Sequence, residues 1–95
     1  MQATYDPVRG FRRLRPLFRE AICRAKEVIR VLQDPRWNSP SLSGSKDYAL
    51  GLARLAMAMA EHGLKAPASQ ANTLAETVEL LLDRLHVEMC DLLES

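Results

Sequence analysis

The sequence is poor in aromatic residues: two phenylalanines, two tyrosines and one tryptophan make up 5% of its 95 residues. Any core must therefore be aliphatic, built from Leu, Ala, Ile, Val and Met. Cysteine is scarce too, and Cys23 and Cys90 alone cannot form the dense disulfide framework of a small secreted domain. They read as free thiols in a reducing cytoplasm, with a single bridge between the first and last helices as the alternative. No apolar run is long enough for a membrane span, and no leader precedes a cleavage site, so a cytoplasmic protein without a membrane partner is expected. Strand signals are missing as well: there is no β-branched alternation and no Asn-Gly hairpin. Phosphate loops, paired glycines after a strand, zinc-ligand quartets and nucleophile elbows are all absent. No catalytic residue, cofactor site or metal site is assigned, and the chain is read as a non-enzyme.

What is present is helical periodicity over a single domain, residues 1–95. Hydrophobic residues are 47% of the chain and charged residues 26%, a globular composition. The spacing predicts helices over about 7–32, 45–62 and 67–94, joined by a linker at 33–45. Asp6-Pro7 opens the first, and Phe11, Leu14, Phe18, Ala21, Ala25, Val28 and Leu32 draw one apolar stripe along it. Pro16 interrupts that stripe, and a kink or break is expected there. The linker carries two prolines, four serines and a glycine. It also holds Trp37, which either packs over the end of the first helix or meets a partner.

The second helix is predicted to start at Ser45 as cap and to end at His62, with Gly63 in the left-handed position and Leu64 folding back. At about 100° per residue, Tyr48, Leu52, Leu55 and Met59 form a large apolar stripe beside a small one of Ala49, Ala53, Ala56 and Ala60. Leu50 and Met57 widen the apolar arc to roughly 220°, against about 100° for an ordinary one-sided surface helix. Such a helix needs cover on two sides. The third helix has capping-box spacing at Thr73 and Glu76, with Pro67 as an earlier start. Ala75, Val78, Leu82, Leu85, Met89 and Leu92 then keep a three-four seam. The fold class is all-α: a small three-helix bundle, expected to dimerise into a larger one.

Charge divides the chain. Residues 1–36 hold nine basic and four acidic residues, whereas residues 37–95 hold four basic and eight acidic. Arg12, Arg15, Arg19, Lys26 and Arg30 form a basic stripe on the first helix. Glu76, Glu79, Asp83 and Glu94 share one side of the third. The stripe can pair with these acids within the fold or its dimer, meet an acidic protein, or bind nucleic acid. The last is disfavoured through the second and third helices, because one is nearly all apolar and the other acidic. Asp83, His86 and Cys90 share a face, but one histidine and one cysteine fall short of a closed metal site. They read as a surface His beside a half-buried Cys.

The unburied apolar arc points to protein–protein contact. Trp37, Leu50, Arg54, Met57 and Leu64 are the candidate partner-binding residues, and Leu52, Leu55, Leu82 and Leu85 the candidates for self-association. Taken whole, the basic first helix over Phe11–Leu32, the long linker and the two further helices resemble the small helical antiactivators of LuxR-type quorum-sensing regulators. The resemblance is one of layout and carries no individual residue over. It implies a dimeric cytoplasmic protein that binds the regulator's ligand-binding domain and blocks its dimerisation or its DNA binding. The expected function is thus a protein-binding regulator that inhibits or sequesters a larger protein; the alternative is a nucleic-acid-binding regulator using the basic first helix.

Overall fold

A computed structural model describes the backbone of residues 7–94 and the side chains of residues 14–94. Three helices account for most of it: α1 (Pro7–Leu32), α2 (Ser43–Lys65) and α3 (Ala68–Glu94). A single 3₁₀ turn, Pro35–Trp37, lies between α1 and α2. The described residues contain no strand, and they form an all-α bundle. Phe11, Arg12 and the Asp6 cap of the sequence reading fall outside the described side chains.

Of the kink or break expected at Pro16, the break does not occur: α1 runs unbroken through it. The ring removes one main-chain hydrogen bond, a penalty of about 3 kcal/mol in a helix interior. Phe18 is wholly buried next to it and Leu14 and Leu17 are half-buried. Packing at about 1.5–3 kcal/mol per buried large side chain outweighs the loss.

After α1, Asp34 caps the short turn by accepting from the Arg36 N–H at 2.9 Å. The irregular stretch then ends earlier than predicted. α2 begins at Ser43, whose hydroxyl donates to the Pro40 carbonyl at 3.1 Å, so Ser45 is inside the helix and not its cap. The other end shifts further. Gly63 is a helical residue with negative φ, not a left-handed cap, and α2 continues to Lys65. Ala66 is extended because Pro67 follows it. The Pro67 carbonyl then accepts from the N–H groups of Gln70 and Ala71, which starts α3. Thr73 is accordingly interior, and its carbonyl takes the Thr77 hydroxyl at 3.1 Å.

α2 is the middle helix. Its alanine row, Ala49, Ala53, Ala56 and Ala60, is fully buried, while Tyr48 and Leu55 of the large row stay about half exposed. Small residues win the centre because a helix packed by two neighbours needs close approach on its shared face. Two clusters result. One gathers Ala25, Leu32, Trp37, Ala49, Ala53, Leu85 and Leu92. The other gathers Phe18, Ala21, Ala60, Ala71, Ala75 and Val78 beside the α2–α3 turn. Leu82 packs against both.

Candidate protein-binding surface

The two flanks of α2 are already used within the chain. On one flank the Arg15 guanidinium donates to the Leu64 carbonyl at 3.5 Å, which places α1 there. On the other the Arg84 guanidinium lies 5.9 Å from the centre of the Tyr48 ring, which places α3 there. Much of the cover that the wide apolar arc needs on two sides is thus supplied within one chain.

Of the five residues predicted to meet a partner, one is buried, three are half-buried and one is exposed. Trp37 is not a surface residue: it is 5% exposed, within the first cluster, with the Arg36 guanidinium 5.5 Å from its ring centre. Leu50 and Met57 are half-buried against the first cluster, and Leu64 against the second. Arg54 alone is exposed. The self-association set divides likewise. Leu85 is core, Leu82 and Leu52 pack partly against it, and only Leu55 faces solvent.

Apolar surface does remain, in a different place. The exposed large hydrophobic side chains among the described residues are Tyr48 (47%), Leu55 (50%), Leu80 (69%), Val87 (47%) and Leu93 (65%). Tyr48 and Leu55 are seven residues apart, and so are Leu80 and Val87, so each pair lines one side of its helix. The two rows adjoin through Arg84, which follows Leu80 by one turn, precedes Val87 by three residues and reaches Tyr48. Arg84 also pairs with Glu88 at 3.3 Å. Its pKa is raised, first by the hydrogen bond with Tyr48 and then by the charges of Tyr48 and Glu88. The result is an apolar ridge along α2 and α3 with one fixed cation in it.

On the opposite side of α3 an open groove of about 490 Å³ separates it from α1, lined by Arg24, Glu27, Val28, Leu82, Leu85, His86 and Met89. Its floor is aliphatic and its charged side chains sit at the edge. Sequence periodicity placed Val28 in the stripe of the first helix and Leu82, Leu85 and Met89 in the seam of the third. It carried no signal that α1 and α3 stop short of closing over them.

The basic stripe is partly spoken for. Arg30 is clamped to Glu27, which lowers the Glu27 pKa and raises that of Arg30 through their side-chain hydrogen bonds. Arg15 is held at Leu64, Arg19 and Lys26 are exposed, and Arg12 lies outside the described side chains. Neither Arg19 nor Lys26 pairs with Glu76, Glu79, Asp83 or Glu94, so those two bases do not make the expected bridges to the acids of α3. Arg24–Glu20 and Arg36–Asp34 are likewise local pairs.

No match is found among known protein families, characterised proteins or solved structures. The chemistry of the surface therefore carries the functional argument. Among the described residues no polar or charged side chain is buried, and no helix is long and apolar enough to cross a membrane.

Proposed function

We propose that the chain is a protein-binding regulator that inhibits or sequesters a larger protein, and that the α2–α3 ridge is its contact surface. One observation supports this: two rows of exposed apolar side chains, Tyr48–Leu55 and Leu80–Val87, run side by side around Arg84. Single exposed leucines are ordinary on a soluble protein, but aligned rows on adjacent helices form a patch of the kind that marks association sites. The mechanism is competitive. The ridge covers an apolar oligomerisation surface of the partner, and the surrounding charges set its orientation.

The resemblance of layout to antiactivators names the partner class: the ligand-binding domain of a LuxR-type transcriptional regulator, met in the cytoplasm by a homodimer of this chain. Such a protein performs no catalysis and takes no cofactor. The test is a titration of a signal-loaded LuxR-type regulator with the chain, read by operator binding and by the molar mass of the mixture. A dose-dependent loss of operator binding, with a defined hetero-complex, supports the reading, and replacing Leu55 and Leu80 by Glu should abolish both effects. Unchanged operator binding at large excess of the chain sinks it.

A further inference from the structure

Arg19, Lys26 and Arg30 are exposed on α1 and, at about 100° per residue, lie within about 40° of one another. Arg15 stands in the same row and reaches the Leu64 carbonyl, so the row runs along the α2 flank of α1. Leu50, Met57 and Leu64, seven residues apart, mark the facing flank of α2, and the exposed Arg54 lies one turn from the first two. Asp47 and Glu61 are the acids on this part of α2. Arg19, Lys26 and Arg54 pair with no described residue. The acids that could neutralise them, Glu76, Glu79, Asp83 and Glu94, are exposed and unpaired on α3, which is no part of this side. The bundle thus carries opposite charge on two sides, and that polarity turns an anion toward α1 and α2.

Charge is most of what this side presents. Among the described residues α1 exposes no large hydrophobic side chain, and those of α2, Tyr48 and Leu55, belong to the ridge beside α3. A protein partner finds no aromatic anchor on the α1–α2 side, and a lipid surface finds no side chain to enter it. Single-stranded nucleic acid binds by stacking on aromatic rings, which this side lacks. A duplex needs neither, because its phosphates bind to a row of cations without base contacts.

We propose that the α1–α2 side binds the phosphate backbone of double-stranded nucleic acid without reading its bases, through Arg19, Lys26, Arg30 and Arg54. The exposed pairing of Arg30 with Glu27 is weak enough in water for a phosphate to displace it. This surface is separate from the ridge and does not depend on what the ridge binds.

The test is fluorescence anisotropy of a labelled DNA duplex of about 20 base pairs, titrated with the whole chain across about 50–200 mM salt. The expected result is binding indifferent to base sequence, with a log–log salt slope of about −3 for three or four phosphates contacted. Arg19 and Lys26 are exposed, so the double variant Arg19→Gln, Lys26→Gln should keep the far-ultraviolet circular dichroism of the parent. Its slope should fall by about two, with binding at low salt weakened at least about tenfold. Leu80→Ser, on the ridge, should bind as the parent does. No anisotropy change for the parent at the lowest salt overturns the proposal, and so does a slope that the double variant leaves unaltered. Polyglutamate that competes as well as duplex at equal charge would assign the side to an acidic protein instead. Tighter binding to phosphatidylserine vesicles than to duplex would assign it to a membrane surface, and either result overturns the duplex assignment.

Discussion

A β-carbon on Gly63 would stand 2.5 Å from Cζ of Phe18, with the two Cε atoms of that ring at 2.6 and 2.7 Å. The glycine is there so that the ring of α1 can lie flat against the backbone of α2's last turn. Phe18 is fully buried and has nowhere to retreat.

Gly63→Ala should therefore destabilise the fold although alanine is the better helix former. Overpacking a closed core costs about 1–3 kcal/mol, and the propensity gain of about 1 kcal/mol offsets only part of it. Gly51 supplies the control: it is helical and exposed, and a β-carbon there meets nothing within 4 Å. Gly51→Ala should stabilise by about 0.5–1 kcal/mol. Denaturant midpoints of the two variants moving the same way would refute the close-approach account.

Trp37, the single tryptophan, joins the linker to the first cluster, with its Nε1 buried and without a hydrogen-bond partner. Trp37→Ala should cost about 3–5 kcal/mol through the cavity it leaves. Trp37→Phe should cost far less, because losing an unsatisfied donor recovers part of a desolvation penalty of about 1–3 kcal/mol. The native emission should be blue-shifted and move red on unfolding. Native emission already at the wavelength of unfolded chain would show that the linker does not hold Trp37 in the core.

The positions of the helices were legible because three-four spacing is a local property: Phe18, Ala21, Ala25 and Leu32 were read as one stripe and are buried together. What failed was tertiary. Gly63 after His62 and before Leu64 has the look of a helix-ending glycine, and only the Phe18 ring distinguishes the two roles. Size did not reveal which stripe of α2 faces inward, since the alanine row is central only when helices lie on both sides. That same placement leaves Leu50, Met57 and Leu64 only partly exposed. The ridge was half visible: Tyr48 and Leu55 stood in the large stripe of α2, but Leu80, Val87 and the Arg84 that joins the two rows required the packing of α2 on α3.

The Glu27–Arg30 clamp gives a pH signature. The hydrogen bond from Arg30 holds the Glu27 carboxyl below its ordinary value in the folded chain. A depressed carboxylate pKa contributes stability that is fully present above the unfolded value and is lost as pH falls through the folded one. The pair is exposed, so its contribution is small and sensitive to salt. A carbon-detected titration should place the Glu27 midpoint below that of a free glutamate, and Arg30→Gln should return it. An unshifted midpoint in the parent would show that the clamp does not persist in solution.

Self-association tests the ridge directly. Leu55 and Leu80 are exposed, so replacing either by Glu should change the stability of an isolated chain by no more than about 0.5 kcal/mol. Leu85→Ala removes a core side chain and should cost about 2–5 kcal/mol whether or not the chain dimerises. If two copies bury their ridges against each other, the parent should sediment as a dimer at micromolar concentration and melt higher as concentration rises. The glutamate variants should fold but sediment as monomers, because the carboxylate would be buried without a partner. A 10.7 kDa species at every concentration, with a concentration-independent melt, would rule out the dimer. The ridge would then be free for another protein, and the same glutamate variants would still have to abolish capture of the regulator's ligand-binding domain. Variants that lose neither dimer nor partner would place both contacts elsewhere, with the α1–α3 groove as one further apolar surface.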